Sequence, residues 1–256
     1  MSNNNHSINE FDFQLICEYF SSTDRQGPGS KVSTLKAFSY LKDLPNHPKI
    51  ADLGCGTGSS ALTLAKHHDV RITAIDLFPQ FIEKLKFRAQ QIHVSEKIFP
   101  KTGDIASLTF EEESMDVIWA EGSIYNVGFK QGVKEWYRFI KPGGYIAVTD
   151  ATWLTDNRPK EIEDFWMEAY PEIDTQHNKV KQIEGFGYKN ITTFTLSEEC
   201  WTKEYYIPQR KAQDIFLGKH PNNPTAQALI KNQRHEAELY QKYKEYYGYV
   251  FYIGQK

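Results

Sequence analysis

The sequence predicts an α/β fold: a doubly wound, mostly parallel sheet with helices on its faces. Three observations predict it. Short β-rich apolar runs alternate with helical stretches from residue 49 to residue 149, a glycine-rich turn joins the first run to the helix after it, and an acidic residue, Asp76, ends the second run. Strands that alternate with helices pair in parallel through right-handed crossovers, since each helix carries the chain back to start the next strand in the same direction.

The elements follow in order. Phe11, Leu15, Ile16, Tyr19 and Phe20 recur at helical spacing, which predicts a short amphipathic helix packed as a flap before the main fold. Gln26-Gly27-Pro28-Gly29-Ser30 is a turn, and Ser30 is placed to cap a helix whose face carries Val32, Leu35, Phe38 and Leu41 before Pro45 and Pro48. Residues 50–53 read as the first strand, 62–65 lie in a helix, and 70–75 read as the second strand. Pro79 suits the first turn of a helix carrying Phe81, Ile82, Leu85, Ala89 and Ile92. A weaker third strand is expected at 97–102 and a fourth at 115–120. Val133, Trp136, Tyr137 and Ile140 mark a helix face, and Lys141-Pro142-Gly143-Gly144 turns the chain into a fifth strand at 145–149.

Beyond Asp150 the rhythm loosens. Residues 159–170 and 176–186 look helical, 191–196 looks like a strand, 209–245 is a polar helical stretch broken at Pro221 and Pro224, and 247–253 reads as a terminal strand. The expected division is residues 1–47 as N-terminal helices forming a flap over the cofactor site, and 48–256 as the main domain with a helical insertion around 200–246.

Composition narrows the functional classes. With 256 residues, 40% hydrophobic and 25% charged, the chain can bury one substantial core. A net charge of -3 and the lack of a Lys/Arg run argue against nucleic acid or an anionic membrane surface as a partner. Cys17, Cys55 and Cys200 are odd in number and widely spaced, so neither a disulfide framework nor a metal site is expected. No signal-like N-terminus or long apolar stretch is present, and the expected location is the cytoplasm, as a monomer or homodimer.

The chemistry concentrates in Asp52-Leu53-Gly54-Cys55-Gly56-Thr57-Gly58, where backbone must turn sharply between strand and helix and a ligand can approach closely. Asp76 follows at nearly the spacing of about 20 residues at which a carboxylate accepts from ribose hydroxyls, so a bound adenosine is implied. A dinucleotide fingerprint would put its third glycine at Ser59, whereas this loop has it at Gly58. Asp52 would repel a pyrophosphate but suits a ligand with an ammonium and a sulfonium, which favours S-adenosylmethionine.

That string resembles the first motif of the class I S-adenosylmethionine-dependent methyltransferases, in particular the small-molecule branch similar to ubiquinone and menaquinone biosynthesis methyltransferases. The resemblance spans residues 48–150 and is carried further by Ile75-Asp76, Gly103-Asp104-Ile105 and Lys141-Pro142-Gly143-Gly144. It implies a Rossmann-like, seven-stranded sheet with an antiparallel terminal strand and helical lid elements, and S-adenosyl-L-methionine as cofactor. It also implies that Gly54, Gly56 and Gly58, with Asp52 and Cys55, shape the methionine pocket. Asp76 would hold the ribose, Leu77 and Ile105 would flank the adenine, and Asp104 would accept its amino group. For Leu77 and Ile105 plain core packing stays open, as do a solvated strand-end carboxylate for Asp76 and a turn residue for Asp104.

The acceptor is expected at loops 121–128 and 150–158, beyond the carboxyl ends of the fourth and fifth strands. Glu121 is a candidate cofactor contact and general base, Tyr125 a candidate catalytic and acceptor contact, and Asn126 and Trp153 candidate acceptor contacts. Trp153, Trp166, Trp201, Tyr205 and Tyr206 either wall an acceptor pocket or pack as ordinary core. The activity so implied is in-line methyl transfer to O, N or C of a small molecule. Two alternatives stay open: a methyltransferase-like protein that binds without turnover, and a nicotinamide-dependent oxidoreductase.

Overall fold

The computed structural model describes residues 12–256. Phe11, at the head of the expected N-terminal pattern, lies outside the described residues. Strands β1 (Lys49–Leu53), β2 (Arg71–Asp76), β3 (Ile98–Thr102), β4 (Met115–Glu121) and β5 (Ile140–Trp153) are followed by β6 (Asp174–Thr175), β7 (Lys189–Thr195) and β8 (Tyr247–Gln255). The sheet runs β3-β2-β1-β4-β5-β8-β7, with the two-residue β6 paired to β5 off this path. β1 to β5 are parallel, and β8 inserts antiparallel between β5 and β7. The expected seven strands are all present, and β6 is the one addition.

The order reverses between β1 and β4, and a crevice opens at such a reversal beyond the carboxyl ends of the strands. The central strands lie between covered faces, which is why they read as continuous apolar runs. Ile50, Val117 and Trp119 point into one apolar cluster, whereas Ala51, Leu53 and Ile118 point into the other. Around them lie α3 (Ser59–His67), α4 (Pro79–Gln91), α5 (Phe129–Trp136), α6 (Lys160–Ala169) and α7 (Gln176–Gly185).

Five further helices lie outside this alternation. They are α1 (Phe13–Ser21), α2 (Lys31–Ser39), α8 (Glu198–Trp201), α9 (Ile207–Lys219) and α10 (Pro224–Tyr243). Leu15 and Tyr19 of α1 share a small apolar cluster with Phe216 of α9 and Leu229 and Ile230 of α10. The N-terminal helix is thus fastened to α9 and α10, segments far apart from it in sequence.

Three sequence expectations need correction. Ser30 does cap α2, in a reciprocal capping box with Ser33, but the buried face of that helix is Ser33, Thr34 and Ala37, while Val32 is 76% exposed. Of the expected face, Leu41 is buried and Phe38 packs against the core, so the correction is confined to its first turn, where hydrogen-bonding Ser33 and Thr34 turn inward in place of Val32. The fifth strand extends well past 149, because β8 pairs with it from Tyr145↔Gln255 to Trp153↔Tyr247 and supplies partners for polar Thr149, Asp150 and Thr152. Ile140, expected on a helix face, begins this strand after a short 3-10 turn at Tyr137–Phe139. No helix among the described residues is long and apolar enough to cross a membrane.

Gly58 is the N-cap of α3 at φ +92°, and a Cβ there would lie 2.1 Å from Leu85 Cδ1 of α4. Gly58→Ala combines a left-handed backbone penalty with overpacking, so thermal or urea unfolding is expected to register a loss of roughly 2–4 kcal/mol.

Candidate cofactor site

A cavity of about 460 Å³ opens at the carboxyl ends of β1 to β4. Its floor is the glycine loop. Backbone N–H groups of Gly54 and Cys55 both donate to Ile75 O of β2, at 2.8 and 2.9 Å, and Gly56 N–H donates to the Asp76 carboxylate at 2.8 Å. The loop bends into this course with φ +70° at Gly54, where a Cβ would lie 2.3 Å from the Ser123 Cβ. Only glycine fits between β1 and the loop that follows β4.

Four strand ends contribute side chains. Asp76 is buried, accepts also from Phe78 N–H at 3.1 Å, and lines the cavity. Burial raises its carboxyl above the ordinary range, while the backbone donors of Phe78 and Gly56 act in the opposite direction. Leu77 lines the cavity with 55% of its surface exposed, and Asp104 and Ile105 line it from the end of β3. Asp104 accepts from Ala106 N–H at 2.8 Å through Oδ1, and its Oδ2 takes no hydrogen bond from the described residues, while Ile105 packs into the core beneath.

Glu121 ends β4. Its Oε1 accepts from Thr34 Oγ1 at 2.6 Å and from Trp119 Nε1 at 3.0 Å, and its Oε2 lies 3.6 Å from the Arg25 guanidinium without a hydrogen bond. Both Thr34 and Arg25 belong to the N-terminal segment, so this carboxylate ties that segment to the sheet. Gln26 makes a second tie: its Oε1 accepts from Thr57 N–H at 2.9 Å, while its amide nitrogen donates to Phe20 O and Thr23 O. Phe13, Ile16 and Phe20 close the wall above.

Nothing local in the sequence marks Arg25, Gln26 and Thr34 as site residues. Their one local signal was the turn at 26–30, whose position over the glycine loop depends on long-range contacts.

Asp52 lies behind the loop and does not line the cavity. It accepts from Ser60 Oγ at 2.7 Å, and its Oδ1 is buried without a partner among the described residues. Burial, with the charges of Glu121 and Asp76 adding to it, pushes its carboxyl up to about 7 against the Ser60 bond. Gly58 also stays outside the lining, serving the packing of α3 on α4.

Residues 50–144 match the family described as a methyltransferase domain. The chain carries a methyltransferase domain. Among similar proteins, a sarcosine/dimethylglycine N-methyltransferase of Aphanothece halophytica is 33% identical over 48% of this chain and 44% of its own length. A 2-methyl-6-phytyl-1,4-hydroquinone methyltransferase of Synechocystis is 27% identical over 69% of this chain and 55% of its own. The chain thus spans about half the length of the curated relatives it matches. In fold it resembles a methyltransferase from Geobacter sulfurreducens solved with S-adenosyl-L-homocysteine, with a TM-score of 0.80 at 20% identity, covering 94% of this chain and 97% of that one.

Around the methyltransferase domain the expected acceptor residues separate. Tyr125 and Asn126 line the cavity, on a 3-10 turn after β4. Trp153 does not: it is buried in the core at the far end of β5, with the Arg158 guanidinium 4.2 Å over its ring. Trp166 and Trp201 are core residues too, Trp201 stacked on Tyr240 at 4.4 Å. Asp150, at the head of the other expected acceptor loop, is buried and taken up by Lys179 and by the Tyr170 hydroxyl. Polar residues at strand ends look alike in sequence whether they face a ligand or a buried lysine.

Because the Asp52 carboxyl is raised in the folded state, its contribution to stability is present at low pH and declines as pH rises from about 4 through about 7. Asp52→Asn keeps an oxygen for Ser60 and removes the titration. Thermal melts from pH 4 to pH 8 are expected to show the variant losing less stability than the parent, by at most about 4 kcal/mol.

Proposed function

We propose that this chain transfers the methyl group of S-adenosylmethionine to a small-molecule acceptor. One observation carries the reading: a glycine loop and a strand-end carboxylate, Gly56 and Asp76, are hydrogen-bonded to each other at the floor of the cavity where the sheet order reverses. The residues present fit the group. The Asp76 oxygens retain lone pairs for ribose hydroxyls, Leu77 and Ile105 offer apolar faces for an adenine, Asp104 can accept its amino group, and the backbone of Gly54, Cys55 and Gly56 borders the space for the methionine. The carboxylates Asp76 and Glu121, which line the cavity, suit a ligand with positive charge and disfavour a pyrophosphate, which weighs against a nicotinamide cofactor.

When bound, S-adenosylmethionine supplies a methyl group already activated on sulfur. The chain's own residues then have to align and desolvate. Phe13, Phe20 and Gln26 keep water from above the loop, and Tyr125 and Asn126 stand at the acceptor side. With Thr34, Trp119 and Arg25 gathered on its carboxylate, Glu121 serves closure of the N-terminal segment better than proton abstraction. Three free, buried thiols and the lack of a basic surface signal support a cytoplasmic protein without nucleic-acid partners.

Calorimetry with S-adenosylhomocysteine is expected to give a single site in the full chain. Asp76→Ala is expected to weaken it roughly tenfold or more, since unpaired buried groups cost about 1–3 kcal/mol. No binding by the parent at millimolar ligand would sink the proposal. For Glu121→Gln, the expected outcome is weaker cofactor binding with an unshifted pH profile of turnover; a lost limb of that profile would restore the base assignment.

A further inference from the structure

Arg25 is the one cation among the described residues that line the cofactor cavity. Its side chain is 12% exposed, and its guanidinium makes no hydrogen bond among the described residues. It stands 3.6 Å from Glu121 Oε2, an oxygen that is itself buried and without a hydrogen bond. A fixed fork of N–H donors is thus held beside a cavity with nothing to accept from it. A guanidinium taken this far out of water is costly until an acceptor joins it.

Backbone frames the pair. A Cβ at Gly29 would stand 2.5 Å from Arg25 Nη1 and 3.2 Å from Glu121 Oε2, so the turn at 26–30 passes against both. Gly29 N–H donates to Cys200 O of α8 at 3.2 Å, which fixes the turn to a distant part of the chain. Thr34 and Trp119 both donate to Glu121 Oε1 and leave Oε2 to the cavity side. One nearly buried guanidinium and one unpartnered carboxylate oxygen therefore stand side by side in the cavity wall.

Their place in the sheet tells which part of a ligand they would meet. The order β3-β2-β1-β4 puts the ends of β2 and β3, with Asp76, Leu77, Asp104 and Ile105, on one side of β1 and Glu121 on the other. Arg25 lies on the Glu121 side, and its neighbour Gln26 packs on Gly56 and accepts from Thr57 N–H at 2.9 Å. With adenosine at β2 and β3, the amino-acid end of the cofactor falls at Arg25 and Glu121. Other cations nearby are placed elsewhere: Lys31, Lys66 and Arg88 line a separate cavity of about 800 Å³, which Arg25 also borders, and Arg88 donates to Thr57 O and Asp24 O.

We propose that Arg25 holds the α-carboxylate of the methionine portion of the cofactor, and that Glu121 Oε2 takes the ammonium beside it. An amino acid carries these opposite charges on neighbouring atoms, so an adjacent arginine and carboxylate match it group for group, and the guanidinium fork can hold a carboxylate through two parallel bonds. Because Arg25 belongs to the N-terminal segment, a cofactor held this way adds a further tie between that segment and the sheet. The assignment rests on the methyl-donor reading above.

The test is calorimetry on the full chain with S-adenosylhomocysteine and with decarboxylated S-adenosylhomocysteine, which keeps the ammonium and lacks only the carboxylate. The parent is expected to bind S-adenosylhomocysteine roughly tenfold or more tightly than the decarboxylated compound. Arg25→Met, which nearly keeps the reach of the side chain and removes its charge, is expected to erase that preference by weakening S-adenosylhomocysteine alone. Glu121→Gln is expected to weaken both compounds, since both carry the ammonium. Equal affinities in the parent overturn the proposal whether or not any variant folds, and so does a preference that survives in Arg25→Met. Undiminished affinity of Glu121→Gln for both compounds overturns the ammonium assignment. A parent that binds neither compound removes the methyl donor, and this assignment with it.

Discussion

The cavity depends on the hydrogen bonds that hold the loop after β1 to the end of β2. Gly54 and Cys55 share the carbonyl of Ile75, and Gly56 reaches the Asp76 side chain one residue on. These bonds satisfy main-chain donors that a tight turn would otherwise leave buried and unpaired. They also fix the carboxylate that faces the ligand. A strand pairing, Leu53↔Ile75, sets the register that makes both possible. Folding of the parallel sheet and formation of the site are thus one event.

Negative charge is the second constraint. Asp52, Asp76 and Glu121 crowd the ends of neighbouring strands, and each is held by a different device: a serine hydroxyl, backbone N–H groups, or a threonine, an indole and an arginine. The carboxylate of Glu121 recruits its partners from the N-terminal segment, so electrostatic need at the floor of the cavity also fastens its cover. Farther along the sheet the Asp150–Lys179 pair is fully buried, with the lysine over the Phe129 ring at 4.3 Å. Burial of that kind costs desolvation and is tolerated where pairing is complete. It turns a strand end that could have faced a ligand into a packed joint between β5 and α7.

Covering the cavity joins distant parts of the chain. α1 packs on α9 and α10 through Tyr19, Phe216 and Ile230, and Tyr19 also donates to Gln209. The cover is therefore a composite of both ends of the chain. Trp201 stacks on Tyr240 in the core, whereas Tyr125, on the turn after β4, lines the cavity.

The sequence by itself determined the parallel sheet, the glycine loop and the strand-end acids. Each of these is written locally: apolar runs for strands buried on both faces, glycine where φ must be positive, and Asp76 at the end of its own strand. It also determined the cap at Ser30, because a serine before a helix satisfies donors within one turn. The tertiary structure alone decided that Val32 faces outward and Thr34 inward, that Trp153 is core, that Asp150 is bound by Lys179, and that Gln26 lies on Thr57. All four depend on partners at least 20 residues away, and a polar or aromatic side chain carries no local mark of whether that distant partner is protein, ligand or water.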